Sequence, residues 1–180
     1  MRLETKFCPS DETLKVADGT RIEGYASLFG APDESGDIVA KGAYAASLKR
    51  MGADRRAVKM LWQHDPLQPI GVWDEVREDG RGLWVKGRIL DEVAKGREAA
   101  ALVQAGAIDG LSIGYRTLKS SKTDKGQRLL TELELWEVSL VTFPMLSSAR
   151  VTAKGDSPDA QTWRDVALAL EAARRDLTDR

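Results

Sequence analysis

One histidine and one cysteine are all the chain contains of either residue. Cys8 by itself excludes an intrachain disulfide and a cysteine-built zinc site. His64 by itself excludes a metal site of two or three imidazoles, so imidazole chemistry of any kind must run through position 64. An excess of one charge is lacking too. Lysine and arginine total 27 against 28 aspartate and glutamate, a formal charge of −1, without the basic surplus of a general nucleic-acid binder. No apolar run approaches the ~20 residues of a membrane-spanning helix, and the opening MRLETKFCPSDE has none of the apolar stretch of a signal peptide. The expectation is a cytoplasmic protein with neither a nucleic-acid nor a membrane partner, and with no metal or organic cofactor.

What is present reads as a globular chain. With 42% hydrophobic and 31% charged residues over a length of 180, it can build one core-bearing domain. Residues 13–17 and 21–29 flank Asp18-Gly19 as a hairpin. The stretch 30–36 (GAPDESG) is a loop, and 42–51 (GAYAASLKRM) is a helix ending at Gly52. Residues 57–63 (AVKMLWQ) form a short buried strand stopped by His64-Asp65-Pro66. Residues 70–77 and 83–89 make a second hairpin around Glu78-Asp79-Gly80-Arg81-Gly82. The Ala-rich stretch 92–105 suits a helix that Gly96 weakens. Strands at 111–118 and 129–143 follow, the second long enough to bend or carry a bulge, and Pro144 ends it.

About seven strands with two internal helices imply an α+β fold, a curved or closed, mostly antiparallel β-barrel with flanking helices. Residues 145–158 read as a linker. Trp163, Val166, Ala167, Leu170 and Leu177 then fall on one face of a helix over 159–177. The expected organisation is a body at 1–150, with a linker and C-terminal amphipathic helix at 151–180.

Three positions are candidates for chemistry. His64 ends a strand in which Val58, Met60 and Trp62 point the same way, and an imidazole there suits a general base near neutral pH. Position alone does not choose that role over an ordinary strand-end histidine. Ser112 shares a strand face with Gly114, while Leu111, Ile113 and Tyr115 take the other. The missing side chain at 114 leaves room for an extended substrate beside the hydroxyl. The run Gly110-Leu111-Ser112-Ile113-Gly114 matches G-x-S-x-G by spacing, but in a strand context and not at a strand–turn–helix elbow. From these residues alone, a plain solvent-facing strand serine is the preferred reading. Glu137 falls by alternation with Leu133, Leu135, Ser139, Val141 and Phe143, whereas Glu132 and Glu134 fall on the opposite face, the more polar one in the strand's first half. A carboxylate on an apolar face costs several kcal/mol unless a donor meets it, and histidine or arginine would serve.

Taken in order, several stretches resemble the prohead (capsid maturation) serine proteases of tailed phages, relatives of the herpesvirus assemblins. They are 23–29 (EGYASLF), 33–44 (DESGDIVAKGAY), 60–65 (MLWQHD), 69–71 (PIG), 110–115 (GLSIGY) and 136–142 (WEVSLVT) with Pro144. The resemblance runs from about Arg21 to Val151. Tyr44 stands where the family often has Phe, and the resemblance is not followed into the tail 155–180.

The resemblance implies an assemblin-like fold and a serine endopeptidase with His64, Ser112 and Glu137 as its catalytic set. The expected oxyanion donor is a backbone N–H or Arg150. It further implies the major capsid protein, its N-terminal delta region, or scaffold as protein substrate, with the protease itself as another. A homodimer, or packing within the interior of an assembling prohead, goes with the assemblin kinship. A non-catalytic assembly factor of the same fold is the alternative, and a thiol hydrolase using Cys8 with His64 is a third reading.

Overall fold

Tight turns organise the chain before any long-range contact does. The computed structural model describes residues 4–7, 15–17, 19–33, 35–54 and 57–142. Along them run β1 (Glu4–Phe7), β2 (Lys15–Ala17), β3 (Arg21–Leu28), β4 (Ile38–Val39), α1 (Ala45–Asp54), β5 (Lys59–Trp62), β6 (Asp65–Glu78), β7 (Gly82–Ile89), α2 (Ala94–Gln104), β8 (Gly110–Lys122) and β9 (Arg128–Val141). The β6–β7 turn is fastened by Asp79, which accepts the N–H groups of Arg81 and Gly82, the Tyr25 hydroxyl and the Arg77 guanidinium. Burial pushes its carboxyl up, but those donors outweigh it and hold the pKa at about 2.

All nine strands belong to one sheet, in the order β1-β8-β9-β5-β6-β7-β3-β2, with β4 also alongside β9. Every pairing is antiparallel except those of β4 and β5 with β9. The sheet curls until β3 approaches β8 and β1 without pairing to them. The expected curved, mostly antiparallel architecture with flanking helices is therefore present, as an open half-barrel. Two strands exceed the seven expected. β1 and β4 are short segments without alternation, recruited by the edges of β8 and β9. Helix α1 continues through Gly52 to Asp54, because that glycine does not take the left-handed conformation that would end it. The expected linker and helix beyond residue 144 lie outside the described residues. No helix among the described residues is long and apolar enough to cross a membrane.

The edge of β9 between β4 and β5 is closed by the region of α1. The Leu133 N–H donates to the Ala43 carbonyl at 2.9 Å and the Leu135 N–H to the Ser47 hydroxyl at 3.0 Å. Ile22, Met60, Ile70, Leu83, Ile113 and Leu135 are among the core side chains that leave water almost completely. Each such burial stabilises by about 1.5–3 kcal/mol. Helix α2 sits against β6 and β7, and Gly96 is its contact. A Cβ there would lie 1.9 Å from the Leu90 carbonyl oxygen and 3.1 Å from that of Ile70. The glycine that weakens the helix is what lets it dock.

Strand β1 is held by ion pairs. Glu4 accepts from Arg128 at 2.8 Å and from the Thr117 N–H at 3.3 Å, while Arg128 also reaches Asp37 and the Thr117 hydroxyl. The hydrogen bond from Arg128 is the main cause that holds the Glu4 carboxyl below its ordinary range.

Two outcomes follow from these contacts. Helix propensity alone would make Gly96→Ala more stable by about 1 kcal/mol, whereas the close docking predicts a net loss of about 1–3 kcal/mol. The urea midpoint decides, and an unchanged or raised midpoint contradicts the docking. For Glu4, a depressed folded pKa stabilises β1 above the ordinary glutamate value of about 4.3, and that contribution disappears as pH falls through the depressed value. Amide protection in β1, corrected for intrinsic exchange, should therefore drop between about pH 5 and pH 3. Glu4→Gln should flatten the profile.

Candidate active site

His64 does not continue its strand. Trp62 pairs with Asp65 across a two-residue turn, and the central residues Gln63 and His64 have φ of 52° and 62°. Such a turn matches the twist of the flanking strands but asks for left-handed backbone at both centres, where glycine or asparagine is usual. Placing two other residues there costs of order 1 kcal/mol or more each. The surroundings offset it. The Gln63 N–H donates to the Leu140 carbonyl at 2.9 Å, its side-chain amide donates to the Thr142 hydroxyl at 2.6 Å, and its Oε1 accepts the Thr142 N–H at 3.3 Å. The hairpin is thereby tied to the end of β9. The expected alignment of His64 with Val58, Met60 and Trp62 is thus corrected, since a left-handed turn residue leaves strand alternation.

Parallel pairing of β5 with β9 sets Lys59 against Glu137 and Leu61 against Ser139. On its other edge β9 pairs with β8, where Ser112 faces Ser139 and Gly114 faces Glu137. The register then slips, so that Tyr115 faces Leu135 and Trp136 is the extra residue of a β-bulge. Cross-strand partners share a face. Glu137 therefore lies on the face of Ser112 and Gly114, while Leu135 lies on that of Ile113 and Tyr115. The expectation that Glu137 shares a face with Leu133 and Leu135 is overturned by this bulge. Glu134, opposite Arg116, is on the same face as Glu137 and not across from it.

The three candidates nonetheless meet. His64 Nδ1 lies 2.5 Å from Glu137 Oε1, and Nε2 lies 2.7 Å from Ser112 Oγ. A carboxylate only accepts, so Nδ1 carries the proton and the Nε2 lone pair faces the serine hydroxyl. Glu137 is 4% exposed and Ser112 fully buried, while the His64 side chain is 19% exposed. The other oxygen of Glu137, Oε2, accepts a short hydrogen bond from the Ser139 hydroxyl.

The space beside Gly114 goes to this carboxylate, and not to a substrate as expected from the sequence. A Cβ at 114 would stand 2.1 Å from Glu137 Oε1. Competing acids are engaged elsewhere. Glu134 pairs with Arg116 at 2.7 Å, and Asp65 accepts the Leu67 N–H at 2.9 Å and the Gln68 amide at 2.6 Å. Alternation put Ser139 on the face of Glu137 but gave it no role, and Gln63 was missed. Nothing local marks Gln63. Cys8 and Arg150 lie outside the described residues.

Comparison with known proteins bears on what such a constellation belongs to. A family model described as caudovirus prohead serine protease matches residues 9–162. The prohead protease of Enterobacteria phage HK97 is 33% identical over 148 residues, covering 81% of this chain and 64% of that protein. The capsid polyprotein of Pseudomonas phage PAJU2 is 28% identical over 162 residues, 84% of this chain but 23% of that protein. The chain thus spans less than two thirds of the length of either. The bacteriophage T4 capsid assembly protease, gp21, shares the fold, with a TM-score of 0.59 at 20% identity over 79% of this chain and 97% of that one. With most of its length covered by the family model, the chain belongs to the caudovirus prohead serine protease family.

Proposed function

We propose that the chain is a serine endopeptidase of capsid maturation, with Ser112 as nucleophile, His64 as general base and Glu137 as the acid that orients it. The observation that carries this reading is the hydrogen-bonded line Ser112–His64–Glu137, with both ring nitrogens engaged at 2.7 and 2.5 Å. Ser112 Oγ attacks the scissile carbonyl while Nε2 takes its proton and later delivers it to the leaving amine. Glu137 keeps the proton on Nδ1 and stabilises the imidazolium formed in the first step. Fixed donors near the carbonyl oxygen complete such a reaction, a backbone N–H or Arg150 in this reading.

The substrates in this reading are the major capsid protein, in its N-terminal delta region, or scaffold, and the protease itself. Likeness to part of a capsid polyprotein supports a capsid partner, and the place of action is the interior of the assembling prohead. A homodimer belongs to the same reading. An extended substrate would add to a strand edge. The edge of β8 beside Ser112 is paired with β1, Phe7 standing opposite Ser112, so strand addition there requires β1 to give way. The rival reading, a non-catalytic assembly factor, leaves the strained turn at His64 and the buried line of three side chains without a purpose.

Two measurements test the reading. A fluorophosphonate should label the parent at Ser112, and Ser112→Ala should neither label nor process co-expressed capsid protein, seen by intact mass spectrometry. Undiminished processing by folded Ser112→Ala would end the assignment. Glu137→Gln should lose ~10³–10⁴-fold in kcat/KM by favouring the wrong tautomer, while Glu134→Gln, which alters only a partly exposed ion pair, should stay within a few-fold of the parent. The reverse ranking would make Glu134 the acid.

A further inference from the structure

Glu137 has two oxygens and three side-chain torsions, and the arrangement it adopts presents Oε1 to His64. Alternation along β9 puts Ser139 on the same face two residues on, about 6.6 Å along the strand. Across the ladder, Ser139 stands opposite Ser112 and Glu137 opposite Gly114. These four positions form a block on one face of two adjacent strands. Ser139 is fully buried, so its hydroxyl is cut off from solvent, and it donates to Glu137 Oε2. The carboxylate is thus gripped at one oxygen by Ser139 and at the other by His64.

The cradle for this grip is the missing side chain of residue 114. A Cβ there would lie 2.1 Å from Oε1, 2.7 Å from Cδ and 2.8 Å from Cγ of Glu137. All three nearest atoms belong to the one side chain, so any larger residue displaces the whole carboxylate group and not just its tip.

We propose that Ser139 is a positioning residue, whose hydroxyl holds Glu137 in the slot over Gly114 so that Oε1 aligns the His64 imidazole. This rests on the proteolytic reading above and deepens it. Without the Ser139 donor, Oε2 is a buried acceptor that has lost its hydrogen bond, and the carboxylate turns to find another. His64 then loses its fixed orientation.

The test uses the rate at which a fluorophosphonate modifies Ser112, followed by intact mass, which needs no known substrate. Ser139→Ala should slow labelling at least about tenfold, the loss expected for one well-placed hydrogen bond to a charged group. Ser139→Cys keeps the size but donates weakly, and should be slowed as well. In a Glu137→Gln background, Ser139→Ala should change the rate less than twofold, because residues acting as a unit are not additive. A purely structural serine would give the same factor in both backgrounds, which would overturn the proposal, as would Ser139→Ala labelled at the parental rate.

Thermal melting gives a second, independent reading. Gly114→Ala should lower the melting temperature, and adding Glu137→Ala should restore it by emptying the slot. Failure of that rescue also counts against the cradle. A parent chain that is not labelled at Ser112 overturns the proteolytic reading and the proposal with it, whereas a labelled parent with an indifferent Ser139 overturns only the proposal.

Discussion

Everything at the site depends on keeping one carboxylate buried. Glu137 is 4% exposed, and a carboxylate so far from water costs several kcal/mol unless donors replace its hydration. Two do so here. His64 Nδ1 lies 2.5 Å from Oε1, and the Ser139 hydroxyl serves Oε2. Removing either leaves an unpaired buried acceptor, so stability and alignment of the imidazole are one requirement.

The sheet supplies the geometry by departing from regularity in two places. At Trp136 a bulge turns Glu137 away from the face of Leu135 and towards that of Ser112. Between β5 and β6, a turn with left-handed backbone at Gln63 and His64 swings the imidazole out of its strand. The parallel pairing of β5 with β9 puts both irregularities on one pair of strands, the bulge next to the Lys59 end of β5 and the turn just beyond Trp62, which pairs with Leu140. Strain at the turn is offset by the bonds from Gln63 to Leu140 and Thr142, so the histidine is fixed to the same strand that carries its acid. Local strain kept in place by surrounding bonds is common where a side chain has to be pre-aligned.

Much of the fold was legible in the residues. Both hairpins announced themselves through Asp18-Gly19 and Glu78 to Gly82, because turn chemistry is local. Both helices and seven of the strands followed from composition and alternation. Strands β1 and β4 were not legible, since four and two residues carry no period and exist only because a sheet edge accepts them. Gly96 read as a flaw in α2, and only the Leu90 carbonyl beneath it shows why a side chain is excluded. Ser112 and His64 read more readily as ordinary residues until the family resemblance set them apart.

By itself the sequence determined the inventory: a single imidazole, the serine beside a glycine, a carboxylate in an apolar strand, and the turns that make neighbouring strands antiparallel. Those are properties of residue type and of spacings of two or three positions. Which faces meet was decided only by the tertiary structure. Alternation put Glu137 with Leu135, and a single extra residue in the ladder reversed that, since side-chain direction in a strand has a period of two. His64 and Glu137 are 73 residues apart, and no local rule carries register over such a distance. Hydrogen bonding between strands does, because each ladder fixes its partner's register, and two ladders, β8 with β9 and β9 with β5, share the strand that carries the bulge.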